Sequence, residues 1–83
     1  MLTIKVLGPG CDNCKRLEQI ARKVVGDLAI EAEVAKVTDY NAITTYNLLS
    51  TPGLVINEKV VSFGRIPSVG EVTTWVTSAL ETA

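Results

Sequence analysis

The feature that most constrains this chain is a strand signal handed straight to a helix signal. Residues 2–7 are apolar around Lys5, with β-branched Thr3, Ile4 and Val6, and Gly8-Pro9-Gly10 ends the run. From Asp12 the apolar residues fall at Cys14, Leu17, Ile20, Ala21, Val24, Val25 and Leu28, the 3.6-residue period of a helix with one apolar face. Gly26 lies near the end of that helix, and residues 31–37 then alternate charge with Ala and Val as a half-buried strand does.

Asp39 is placed to cap a short second helix with inward positions Ala42, Ile43, Tyr46 and Leu49. Ser50-Thr51-Pro52-Gly53 stops it. Residues 54–56 and 59–63 read as two strands joined at Asn57-Glu58, too close for anything but an antiparallel hairpin. Glu58 is not the residue a type I′ turn favours, so the turn type stays open. Gly64 breaks the last strand, and Ser68-x-x-Glu71 is a capping box opening a helix with the stripe Val69, Val72, Trp75, Val76, Ala79 and Leu80. The expected fold is α/β, in the order βαβαββα, with a four-stranded mixed sheet and three helices. Two crossover helices would make the first three strands parallel, and the hairpin would add an antiparallel edge.

At 83 residues one core must bury nearly everything, so residues 1–83 are expected to form a single domain. With 47% apolar and 20% charged residues, the chain fits an ordinary globular protein and not a disordered one. A net charge of −1 builds no concentrated positive field, which argues against nucleic acid and anionic membrane as partners. Lys15, Arg16, Arg22 and Lys23 share one predicted helix with Glu18 and Asp27, and read as a solvated face. The start of the chain carries no charged leader or long apolar run, so the cytoplasm is the expected compartment. There thiols are usually kept reduced, and a Cys-x-x-Cys reads as redox or metal chemistry.

That motif is Cys11-Asp12-Asn13-Cys14, set where the strand hands over to the helix. Cys11 is expected at the helix start, where unpaired N–H groups and the helix dipole favour a thiolate, so it is the candidate nucleophile. Cys14, one turn further and on the apolar stripe, is placed to be buried yet close enough to resolve a mixed disulfide at Cys11. Asp12 sets a negative charge beside the thiolate and Asn13 is neutral, which predicts a modest depression of the thiol pKa and a pair that acts as a reductant. A purely structural disulfide across so short a loop adds only about 2 kcal/mol. A closed metal site needs four soft or imidazole ligands, and the chain offers two cysteines, a distant Met1 and no histidine. The rival reading is a soft-metal or iron–sulfur module with the two thiolates shared across a dimer.

Thr51-Pro52 leads into the third strand, close to where the first strand leaves its thiols. A trans turn proline and a cis proline are both compatible with the residues. A cis bond would free the Thr51 backbone to pair with an extended partner segment.

A strand, a Cys-x-x-Cys opening a helix, then Thr-Pro before a hairpin and a closing helix together resemble the thioredoxin-like superfamily over essentially the whole chain. Gly8-Pro9-Gly10-Cys11-Asp12-Asn13-Cys14, Ser50-Thr51-Pro52 and the Asn57 hairpin are similar to the small thioredoxin-like redox-active disulfide proteins of archaea and bacteria. The resemblance implies a glutaredoxin-sized fold and dithiol exchange, with Cys11 as nucleophile, Cys14 resolving and Pro52 in cis. It also implies that Thr51, Pro52 and Gly64 line a substrate groove. Expected partners are a disulfide-containing protein substrate and a reductase, met as a monomer and with no cofactor.

The chain departs from better-known relatives in several places. Gly10 replaces an aromatic residue, and Asp12-Asn13 replace Gly-Pro. Lys5 stands where thioredoxins place a buried acid, and Gly64-Arg65 with Ser68 replaces the glutathione-binding Gly-Gly and acid of glutaredoxins. Two readings of Lys5 stand: an outward strand lysine, or an ammonium near the thiols that opposes Asp12. Trp75 reads as core, Tyr46 as cover for the second helix and Tyr40 as partly solvated. Gly8, Pro9 and Gly10 leave Cys11 accessible, and Ile66 and Pro67 are expected to join the Thr51-Pro52 loop in a small apolar rim.

Overall fold

The computed structural model describes residues 2–10, 12–46 and 50–82; Met1, Cys11 and Leu49 lie outside them. Its elements follow the order βαβαββα: β1 Leu2–Leu7, α1 Asp12–Leu28, β2 Ala32–Val37, α2 Tyr40–Thr45, β3 Gly53–Ile56, β4 Lys59–Phe63 and α3 Val69–Thr82. The four strands form one mixed sheet in the order β2-β1-β3-β4.

Alternation along β1 divides the core between the two faces of the sheet. Leu2, Ile4 and Val6 pack with Leu17, Ala21 and Val24 of α1, with Leu54 and Ile56 of β3, and with Val72 and Val76 of α3. Leu7 turns to the opposite face, where it meets Val55 and Ile43 of α2. β3, central and covered on both sides, is buried along its whole length. On α3 the buried line runs through Val72 and Val76 with Trp75 and Ala79 beside it. Val69 and Leu80, expected on that stripe, lie at its margin and are exposed.

β1 and β2 are parallel, but β3 is antiparallel to β1, which corrects the expectation of three parallel strands. The expectation treats α2 as a crossover helix, but its six residues rise only roughly 9 Å, against roughly 20 Å for a six-residue strand, so α2 by itself does not return the chain to the start of the sheet. β3 instead pairs Gly53 with Leu7, at the end of the sheet where β1 and β2 finish, and runs backward. Thr51 is thereby set beside Gly8.

The capping signals hold where they were read, whereas α2 ends at Thr45 with Tyr46 as its C-cap, before the stop expected at Ser50. The Asp39 carboxylate accepts from the Asn41 N–H at 3.1 Å. Ser68 Oγ accepts from the Glu71 N–H while the Glu71 carboxylate accepts from the Ser68 N–H, both at 3.1 Å. Asn57 and Glu58 have φ of 51° and 67°, the paired positive values of a type I′ turn. Asn57 also holds the hairpin to β1, its N–H donating to Thr3 O at 2.8 Å and its Oδ1 accepting from the Thr3 N–H at 3.1 Å.

Candidate functional site

The end of the sheet where β1 and β2 finish and β3 begins carries the candidate site. β1–β2 pairing continues one residue beyond the strand, with the Gly8 N–H donating to Val37 O at 3.0 Å, so the turn into α1 starts from a fixed point. α1 then lays Cys14 on its buried face; the residue is 5% exposed and disulfide-bonded. Gly8 is buried against it. A Cβ at residue 8 would overlap Cys14 Sγ, and would stand 3.2 Å from Cys14 Cβ and 3.9 Å from Thr51 Cβ. Gly8, Cys14 and Thr51 thus meet at one point. Gly8 is read more sharply than from sequence alone, since its missing side chain makes room for Cys14; Pro9 and Gly10 are exposed.

The Thr51–Pro52 peptide bond is cis. Thr51 is exposed and Pro52 buried. The Pro52 carbonyl accepts from the Gly64 N–H at 3.0 Å, tying this loop to the end of β4. Gly64 has φ of +75° and lies against Ser50, whose Oγ occupies the place a Cβ would take. Sequence reasoning named Thr51, Pro52 and Gly64 but gave Ser50 no contact there; only the antiparallel run of β3 brings them together.

Other candidates fall elsewhere. Cys11 lies outside the described residues. Asp12 and Asn13 are exposed in the first turn of α1. Lys5 points to the α2 face, opposite α1, because it alternates with Ile4 and Val6. Its ammonium donates to Tyr46 Oη at 2.9 Å and to Glu58 Oε1 at 2.5 Å, and the Tyr46 hydroxyl donates to Glu58 Oε2 at 2.8 Å. Glu58 and Tyr46 hold the Lys5 pKa above its usual range, and Lys5 holds the Glu58 carboxyl below its own. Pro67 is fully buried, which removes it from the expected apolar rim, and Ile66 is half-buried.

A small cleft opens beside Cys14, lined by Val6, Gly8, Gly10, Lys15, Lys36 and Thr38. Lys36 and Thr38 come from the end of β2, and sequence reasoning did not place them there. The signal that could have found them is the parallel pairing of β1 with β2, which sets both strand ends at the same edge. Among the described residues no group of three or more His, Cys, Asp or Glu side chains is placed to hold a metal ion. Among the same residues no helix is long and apolar enough to cross a membrane.

Comparison with known proteins agrees with this architecture. A family model described as the thioredoxin domain matches residues 2–77. A thioredoxin of Methanocaldococcus jannaschii is 38% identical over 81 residues, covering 98% of this chain and 93% of the relative. A thioredoxin of Methanothermobacter thermautotrophicus is 36% identical over 72 residues, covering 87% of this chain and 94% of the relative. Among solved structures, thioredoxin 1 of Thermosipho africanus superposes with a TM-score of 0.60 at 24% identity, covering 96% of each chain. The germline-specific thioredoxin Deadhead of Drosophila melanogaster superposes with a TM-score of 0.65 at 17% identity, covering 93% of this chain and 79% of the other. These two share the fold. With a family match over most of its length and two relatives above a third identical, the chain belongs to the thioredoxin family of thiol–disulfide oxidoreductases.

Proposed function

We propose that the chain reduces disulfide bonds of protein substrates by dithiol exchange through Cys11 and Cys14, as a monomeric single domain of the cytoplasm. The Cys11 thiolate attacks one substrate sulfur; a mixed disulfide forms, and the other substrate sulfur leaves as a thiolate that takes a proton from solvent. Cys14, deprotonated in turn, attacks the Cys11 sulfur. This closes the Cys11–Cys14 disulfide and releases the second substrate thiol. The substrate gains two electrons, the chain loses two, and a separate reductase returns them with no cofactor held by the chain.

The observation that carries this reading is the meeting of buried, disulfide-bonded Cys14 with Gly8 and Thr51 at one sheet end. A thiol shielded in this way suits the resolving role, which leaves the attack to Cys11. Thr51, Pro52 and Gly64 form the substrate groove, with the Thr51 backbone pairing to an extended segment of the partner. Asp12 and Asn13, between the thiols, keep the thiolate only modestly favoured, so that the pair works as a reductant.

The test is reduction of insulin disulfides by the purified protein with a dithiol donor. Wild type is expected to be active and Cys11→Ser inactive, while Cys14→Ser accumulates a mixed disulfide with the substrate. Equal rates for wild type and both variants would overturn the reading.

A further inference from the structure

Most cations of this chain are held by a carboxylate. Lys5 pairs with Glu58, Arg22 and Lys36 with Glu18, Lys23 with Asp27, and Arg65 with Glu71. Lys15, Arg16 and Lys59 make no ion pair among the described residues. Two lysines line the cleft beside Cys14, both exposed: Lys15, in no ion pair among the described residues, and Lys36, in a long one. The Lys36 ammonium stands 3.7 Å from Glu18 Oε1, whereas Arg22 takes Oε2 of the same carboxylate at 2.9 Å. No carboxylate is among the described lining residues. Asp12 and Asp39 are exposed and neither is among the described lining residues. In a chain of net charge −1, the described lining beside the buried sulfur thus carries two ammonium groups and no carboxylate, with Glu18 shared between Lys36 and Arg22.

We infer that Lys15 and Lys36 form a recognition edge for disulfide substrates that carry carboxylates next to the cystine, in acidic peptide segments. This rests on the disulfide-reductase reading above. Two exposed ammonium groups at the sheet end that carries Cys14 attract an acidic segment of a substrate docking there and repel a basic one, and they do so only within a Debye length, roughly 10 Å at 0.1 M salt. Exposed pairs are individually weak, so the two together are expected to give a preference of about five- to tenfold. The lysines also act on the reacting sulfurs. That effect is the same for every substrate and cancels in a ratio of rates.

The experiment uses three synthetic peptides with the same disulfide, flanked by Glu, Gln or Lys. Second-order rate constants are measured with pre-reduced protein in single turnover, at about 20 mM and about 0.5 M ionic strength. Each rate is divided by the same protein's rate on the Gln peptide. At low salt wild type is expected to favour the Glu peptide about five- to tenfold and to disfavour the Lys peptide, with both ratios falling toward one at high salt. Lys15→Gln/Lys36→Gln is expected to lose the preference, and Lys15→Arg/Lys36→Arg to keep it. Lys59→Gln, which removes one charge at the opposite end of the sheet, is expected to leave the ratios as in wild type. Equal wild-type rates on the Glu and Lys peptides, or a preference that survives in the double Gln variant, would overturn the inference alone. Failure to reduce even the Gln peptide would overturn the reductase reading on which it stands.

Discussion

Gly8 lies so close to Cys14 that no side chain fits between them: a Cβ at residue 8 would overlap the Cys14 sulfur and stand 3.2 Å from its Cβ. The sulfur has nowhere to retreat, since Cys14 is disulfide-bonded and its helix face is packed on the sheet. Gly8→Ala is therefore expected to destabilise the oxidised protein by about 1–3 kcal/mol, the usual cost of forcing extra volume into a packed site. It should also slow insulin reduction. Urea unfolding of the oxidised form checks the first outcome and the turnover assay the second.

The contact between Gly64 and Ser50 is tested in the same way. Gly64→Ala adds a Cβ where Ser50 Oγ already sits, at a backbone φ of +75° that a side chain disfavours. The two effects together are expected to cost about 1–3 kcal/mol. Ser50→Ala removes the hydroxyl but not the positive φ, so the double variant should recover part of the loss and not all of it. A double-mutant cycle by denaturant unfolding measures the recovered part.

Acid sensitivity is expected from the start of α3. The Arg65 guanidinium, and next to it the Ser68 N–H, hold the Glu71 carboxyl down to about 2, from an ordinary 4.5. A carboxyl whose folded pKa is lowered contributes stability above its unfolded pKa and loses it as pH falls toward the folded one. Wild type is therefore expected to lose stability between about pH 4.5 and pH 2. Glu71→Gln should flatten the curve in that window while lowering stability at neutral pH. Thermal unfolding across pH reads both.

Lys5 is expected to matter for stability and not for the thiols. Its ammonium is held by Glu58 and Tyr46 on the α2 face, away from α1. The raised Lys5 pKa gives a contribution present below its unfolded pKa and lost only at strongly basic pH; the lowered Glu58 pKa gives one lost only as pH falls through the acid range. Lys5→Met is expected to lower the unfolding midpoint at neutral pH, with less effect in a Glu58→Gln background. The ultraviolet thiolate titration should stay in place. A displaced titration would put Lys5 back beside the cysteines.

The element order and the caps are legible in the amino-acid sequence because their causes lie within a few residues. The Asp39 cap and the Ser68–Glu71 box are contacts between near neighbours in the chain. The stripe of α1 needs only its own period, and its buried members Cys14, Leu17, Ala21 and Val24 lie on the expected line. The turn at Asn57-Glu58 is harder to read, because the side chain of Glu58 does not favour the positive φ it adopts. Its pairing with Lys5 and Tyr46 lies 53 and 12 residues away in the chain, beyond the reach of a local signal.

By itself, then, the sequence determined the order βαβαββα, the helix starts and the two-residue spacing between Cys11 and Cys14. Only the tertiary structure decided that β3 runs antiparallel to β1, that Thr51 meets Gly8 and Cys14, that Ser50 fills the hollow of Gly64, and that Lys36 reaches the cleft from β2. The physical reason is one of range. Periodicity and capping are settled by a turn or two of chain, whereas strand direction and the side chains gathered at a sheet end depend on how far each connection can travel and on which register buries the most apolar surface.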